Sequence, residues 1–125
     1  MANERVLVVD DNVANQKLVS FILARRGFVV RQALDATEAL AEIAAHPPRL
    51  ILMDVQMPGM DGLSLTRLLR QRPELKDVVI VALTAYAMAG DDRKALEAGC
   101  DGYVSKPIDT HTFADLVAGY LARAR

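Results

Sequence analysis

Side chains able to bind a metal or receive a phosphoryl group follow directly on four of the chain's apolar runs. Asp10 and Asp11 come after Val6-Leu7-Val8-Val9, Asp54 after Leu50-Ile51-Leu52-Met53, Thr84 after Val78 to Leu83, and Lys106 after Tyr103-Val104-Ser105. Taken singly each has a plain reading: Asp10 and Asp11 as loop or N-cap residues, Thr84 as a β-branched strand residue, Lys106 as a solvated charge. Asp54 resists one, because an unpaired acid ending a buried strand is costly. Carboxylates drawn into one crevice also repel, by on the order of 4 kcal/mol for like charges about 4 Å apart at an effective dielectric near 20. A hard divalent cation offsets that repulsion, and Mg²⁺ suits one or two carboxylates together with water and phosphate oxygens. With Lys106 as a second, fixed positive charge, the set fits in-line phosphoryl transfer, and Asp54 is the candidate nucleophile for an aspartyl phosphate.

Such a set works only if the fold brings it together. Five short runs rich in Val, Ile and Leu read as strands: Val6 to Val9, Val29 to Ala33, Leu50 to Met53, Val78 to Leu83 and Tyr103-Val104. Amphipathic stretches separate them. The first, Asn12 to Arg26, places Ala14, Leu18, Phe21 and Ile22 at helical spacing and stops at Gly27. The second opens on Asp35-Ala36-Thr37-Glu38, resembling a capping box, and ends before Pro47-Pro48. A third spans about Gly62 to Arg72, with Leu65, Leu68 and Leu69 inward. A fourth covers about Asp91 to Ala98, ahead of Gly99, and a fifth runs from about Thr110. Five strand–helix alternations predict an α/β fold: a doubly wound five-stranded parallel sheet, flavodoxin-like, in strand order 2-1-3-4-5. In that order the acids follow strands 1 and 3, at the switch point where open parallel sheets place their sites. Strand 2, followed only by Leu34 and Asp35, carries no chemistry.

The remaining residues mostly exclude. With 15 Lys and Arg against 16 Asp and Glu, the chain lacks the basic excess of a nucleic-acid or membrane-surface binder. One cysteine, Cys100, allows neither a disulfide framework nor a thiolate cage and reads as a small buried hydrophobe. The first apolar run, Val6 to Val9, is too short for a signal peptide, so no targeting segment is expected and a cytoplasmic location is. There is neither a Walker-A sequence nor a GxGxxG. His46 and His111 sit in turn-like contexts without a Ser or Cys partner. Gly59-Met60-Asp61-Gly62 reads as a loop entering the third helix, and Met53, Met57, Met60 and Met88 as packing and loop residues.

The motifs Val6-Leu7-Val8-Val9-Asp10-Asp11-Asn12, Leu52-Met53-Asp54-Val55-Gln56-Met57-Pro58-Gly59-Met60-Asp61-Gly62, Ala82-Leu83-Thr84-Ala85 and Gly102-Tyr103-Val104-Ser105-Lys106-Pro107 resemble the receiver domains of two-component response regulators. The resemblance runs from about Arg5 to Leu121. It implies that Asp54 accepts a phosphoryl group from a phosphohistidine on a histidine kinase or histidine phosphotransfer protein. It implies Mg²⁺ held by Asp11, Asp54 and the Gln56 carbonyl, with Asp10 contributing directly or through water. Lys106 would pair with Asp54 and then with the phosphoryl oxygens. Thr84 would turn its hydroxyl to the phosphoryl group, with the Ala85 N–H as a further donor, and a cis peptide is expected before Pro107. Tyr103 holds the family's switch position. Movement of Thr84 would free space for its ring and alter the surface of helix 4, strand 5 and helix 5, which faces a downstream effector protein. Gln56 and Tyr86 occupy positions that tune phosphoryl lifetime in the family.

The expected unit is one receiver over residues 1–125 with no output domain, and with neither nucleic acid nor membrane as partner. Proximity to Asp10 and Asp11, with the family's habits, suggests Asn15, Gln16 and Val19 as the donor's docking surface. A receiver excised from a hybrid histidine kinase is an alternative. A more distant one is an aspartate-nucleophile phosphohydrolase, although Gln56 stands where such enzymes place a second Asp, and no cap domain is expected. A third is an interaction module that keeps the fold without phosphorylation.

Overall fold

The computed structural model describes residues 4–57, 59–84, 91–105 and 109–123. The apolar runs form strands β1 (Arg5–Val9), β2 (Val29–Ala33), β3 (Leu50–Asp54), β4 (Val79–Thr84) and β5 (Gly102–Ser105). All pair in parallel, in the order β2-β1-β3-β4-β5. Every residue of β3 and β4 is buried, which accounts for their unbroken apolar sequence. The edge strand β2 is largely exposed instead. Register pairs Val9 with Met53, Asp54 with Leu83 and Thr84 with Ser105, so the strands end level at one rim. The fold class and strand order are those expected.

Helices α1 (Val13–Arg25), α2 (Ala36–Ala45), α3 (Gly62–Arg70), α4 (Asp91–Ala98) and α5 (Phe113–Arg123) cover both faces. On one face Ala39 and Ile43 of α2, Leu65 and Leu69 of α3 and Ala95 of α4 pack with Leu7, Val9, Ile51, Met53, Ile80 and Ala82. On the other, Val19 and Leu23 of α1 and Phe113, Val117 and Leu121 of α5 pack with Val6, Val8, Leu50, Leu52, Val81 and Leu83. Side-chain acceptors fix three helix starts: Asn12, Asp35 and Asp61 each accept the N–H three residues on, at 2.8 to 2.9 Å. The Glu38 side chain reaches back to the Leu34 N–H, one residue upstream of the cap. Gly27 ends α1 at φ 93° and Gly99 follows α4 at φ 113°. Helix α5 is regular from Phe113, and the turn that leads into it begins near the expected Thr110: Asp109 accepts the His111 N–H on its side chain and the Thr112 and Phe113 N–H groups on its carbonyl. Helix α3 stops at Arg70, and Pro73 opens a short 3₁₀ turn, Pro73–Leu75.

The inward stripe of α1 differs from the expected one. Phe21 is 61% and Leu18 41% exposed and Ala14 is exposed, and only Ile22 of the expected four packs half-buried against the core, whereas Gln16, Val19 and Leu23 are buried. Both stripes have helical spacing. The stripe against the sheet begins with a glutamine, so apolar counting favours the wrong one. The same burial removes Gln16 and Val19 from any docking surface. Leu23→Ala is expected to cost about 2–5 kcal/mol in denaturant unfolding through the cavity it leaves. Phe21→Ala should stay within roughly 0.5 kcal/mol of the unsubstituted chain.

Cys100 is 5% exposed with its Sγ 3.9 Å from Thr66 Oγ1, and burial pushes its thiol pKa up. Among the described residues, no helix is long and apolar enough to cross a membrane.

Candidate functional site

The rim where the strands end gathers the acids. Asp10 follows β1; its N–H donates to Ala33 O at 3.0 Å, one residue past the last paired position of β1 and β2. Its side chain is wholly buried. Oδ1 accepts the Asn12 N–H at 2.9 Å and Oδ2 accepts Asn15 Nδ2. Asp11 is exposed. Asp54, the last residue of β3, is 3% exposed, and its Oδ1 accepts the Gln56 N–H at 3.2 Å. Carboxylate oxygens from Asp10, Asp11 and Asp54 all lie within 4.8 Å of one another. Acids distant in sequence thus share one pocket, two of them buried and the third open to solvent.

The far side of Asp54 is held by backbone. The Val55 N–H donates to Leu83 O at 2.9 Å, and the Gly62 N–H donates to Val55 O at 3.0 Å. A Cβ on Gly62 would lie 2.1 Å from the Asp54 carbonyl oxygen, so only glycine lets α3 begin this close to the acid. Thr84 ends β4, 4% exposed, beside Ser105. Tyr103 pairs with Ala82 and packs half-buried on the α2–α3–α4 face. Thr84 lies two residues beyond Ala82, so strand alternation puts it on that same face. Gln56 is exposed. Lys106, Pro107, Ala85, Tyr86 and Met88 lie outside the described residues. Sequence reasoning put Asn15 and Gln16 near Asp10 but as a docking surface, and it missed that they hold Asp10 and that Gly62 packs behind Asp54. The available signals were a polar residue in a helical stripe that would otherwise be apolar, and a glycine at a helix's first position.

The donor set decides what the pocket can hold. It offers hard carboxylate oxygens, with Asp11 exposed for exchange with solvent. That chemistry fits Mg²⁺, which keeps waters and takes few carboxylates.

The sequence profile of the response regulator receiver domain matches residues 6–118. The chain belongs to this family. Receivers are phosphoacceptor switches of two-component signalling that bind Mg²⁺ at an acidic pocket, and in this chain Asp10, Asp11 and Asp54 form an acidic cluster. The chain is 37% identical over 119 residues to the polar-differentiation response regulator DivK of Brucella anthropi, covering 95% of this chain and 97% of that one. Among solved structures, the chemotaxis response regulator CheY4 of Vibrio cholerae superposes with a TM-score of 0.89 at 28% identity, over 95% of this chain and 99% of the other. The receiver domain of a signal transduction histidine kinase from Syntrophus aciditrophicus gives 0.86 at 29% identity, over 96% and 91%.

Proposed function

We propose that this receiver takes a phosphoryl group onto Asp54 from a phosphohistidine, on a histidine kinase or a histidine phosphotransfer protein, and relays the event to a downstream protein. The observation that carries the reading is the convergence of the Asp10, Asp11 and Asp54 oxygens within 4.8 Å. In the proposed step an Asp54 carboxylate oxygen attacks phosphorus. The new P–O bond forms as the P–N bond breaks, and its electron pair returns to the imidazole. Asp11, Asp54 and the Gln56 carbonyl would hold Mg²⁺, with Asp10 contributing directly or through water. When bound, Mg²⁺ neutralises charge building on the phosphoryl oxygens. As the resemblance implies, Lys106 would pair with Asp54 and afterwards with the phosphoryl oxygens, while the Thr84 hydroxyl and the Ala85 N–H would donate to them.

The switch follows from added charge. An acyl phosphate brings acceptor oxygens that a carboxylate lacks. Thr84 gains a partner and moves toward it, and Tyr103 changes rotamer into the space released; their shared sheet face supports that coupling. The surface of α4, β5 and α5 then shifts between pre-existing states by about 1–3 kcal/mol and addresses the effector. For the donor, the exposed face of α1 at Val13, Lys17, Leu18 and Phe21 replaces the buried Gln16 and Val19 as the docking surface. We place this activity in the cytoplasm. A receiver detached from a hybrid kinase is the second reading, favoured by the likeness to the Syntrophus histidine kinase receiver.

Incubation with acetyl phosphate and Mg²⁺ is expected to add one phosphoryl group per chain, read by intact-mass spectrometry, and EDTA should prevent it. Repeated turnover of a small phosphoester would instead indicate a phosphohydrolase. Absence of both labelling and Mg²⁺ binding would leave a module that keeps only the fold.

A further inference from the structure

We propose that the consecutive amides Asn15 and Gln16 are positioning residues for Asp10, one fixing its carboxylate and the other its peptide, and that together they set the receiver's Mg²⁺ affinity. The proposal rests on the Mg²⁺ reading above. Gln16 is 1% exposed on the α1 face that Val19 and Leu23 otherwise make apolar. Its Nε2 lies 2.9 Å from Val8 O, 3.1 Å from Asp10 O and 2.7 Å from Ala33 O. Ala33 O also accepts the Asp10 N–H at 3.0 Å. Paired positions of β1 and β2 end at Val9 and Ala33, so the amide closes the strand pair where Asp10 leaves it. Reversing that amide would set Oε1 against carbonyl oxygens, which fixes its orientation.

Oε1 gains nothing from this arrangement. Among the described residues it is a buried side-chain oxygen with no hydrogen-bond partner. A buried unsatisfied acceptor is costly, and an apolar side chain of the same length would avoid that cost. The benefit of glutamine is therefore on the donor side, at the Asp10 peptide. Asn15 completes the hold through a closed ring of contacts. The Asn12 N–H donates to Asp10 Oδ1 at 2.9 Å, the Asn15 N–H donates to Asn12 Oδ1 at 2.9 Å, and Asn15 Nδ2 donates to Asp10 Oδ2. The residue that caps α1 thereby ties the helix start to the acid. Donors that orient a metal-binding carboxylate typically carry about 10–100-fold of metal affinity.

The test is a Mg²⁺ titration of the unphosphorylated chain, by calorimetry and by amide NMR shifts, with Asn15→Ala and Gln16→Met. Each variant is expected to bind Mg²⁺ about tenfold more weakly at a temperature where circular dichroism shows it folded. Gln16→Met also takes that donor from the Val8, Asp10 and Ala33 carbonyls, so a lower melting temperature is expected and the titration is read well below it. Saturating Mg²⁺ should restore the acetyl phosphate labelling rate of both, a rescue that damage to the fold would not show. Unchanged or tighter Mg²⁺ binding in either variant overturns the proposal. Should Gln16→Met fail to fold, Asn15→Ala, half-buried in the first turn of α1, decides the matter alone. An unsubstituted chain with no Mg²⁺ response overturns the metal reading itself, and the inference with it.

Discussion

Asp54→Asn is expected to reduce labelling by acetyl phosphate to background while leaving the receiver folded. The amide keeps the shape of the carboxylate, and its oxygen can still accept the Gln56 N–H that Asp54 Oδ1 accepts at 3.2 Å. What it lacks is the anionic oxygen that must attack phosphorus, so the loss falls on chemistry rather than packing. Electrostatics points the same way for stability. Removing one of the clustered negative charges relieves repulsion that is on the order of 4 kcal/mol per close pair at an effective dielectric near 20, before any cation screens it. The melting temperature without Mg²⁺ should therefore not fall, and the stabilisation that Mg²⁺ gives the native chain should shrink, because one carboxylate ligand has become a neutral amide. Intact-mass spectrometry and thermal melts with and without Mg²⁺ read both effects. Full labelling of the variant would move the acceptor to another residue.

The legible part of the site was the part that interrupts a pattern. Asp10, Asp11 and Asp54 each end an apolar run, and in a parallel sheet of this order such ends meet at one rim, so their convergence could be expected before any coordinates. Thr84 ends the fourth run in the same way, whereas Tyr103 was singled out only by the family resemblance. Helix α1 was less legible because its sequence supports two helical stripes. The apolar one faces solvent at Leu18 and Phe21, while the buried one starts with a glutamine whose hydrogen bonds lie on other elements, at Val8, Asp10 and Ala33. Periodicity reports hydrophobicity along one helix, and it carries no information on carbonyls left over at the end of a neighbouring strand. The exposure of β2 was legible: Arg31 and Gln32 break its apolar sequence, and the expected strand order already put it at the sheet edge, where it is mostly exposed.

Gly62→Ala is expected to destabilise the receiver by roughly 1–3 kcal/mol, against the usual effect of that change in a helix, where alanine is favoured over glycine by about 1 kcal/mol. The added Cβ would meet the Asp54 carbonyl oxygen at 2.1 Å, the Asp54 carbonyl carbon at 2.9 Å and Met53 Cγ at 2.9 Å. Two of those three atoms are backbone of a buried strand and cannot rotate away, so either α3 or the end of β3 must move. The Gly62 N–H to Val55 O bond, 3.0 Å long, spans the same gap and stretches with it. Labelling of Asp54 should consequently fall even at temperatures where the variant is fully folded, because the displaced peptide carries the acceptor. Gly59→Ala provides the contrast. Its Cβ would meet nothing within 4 Å, so its cost comes only from a φ of 79°, on the order of 1–2 kcal/mol, and labelling measured on the folded protein should be nearly unchanged. Thermal melts paired with labelling rates separate the two glycines. A Gly62→Ala chain that melts higher than the native one would show that α3 can back away from β3 freely, and the tight approach would then have no part in holding the acceptor.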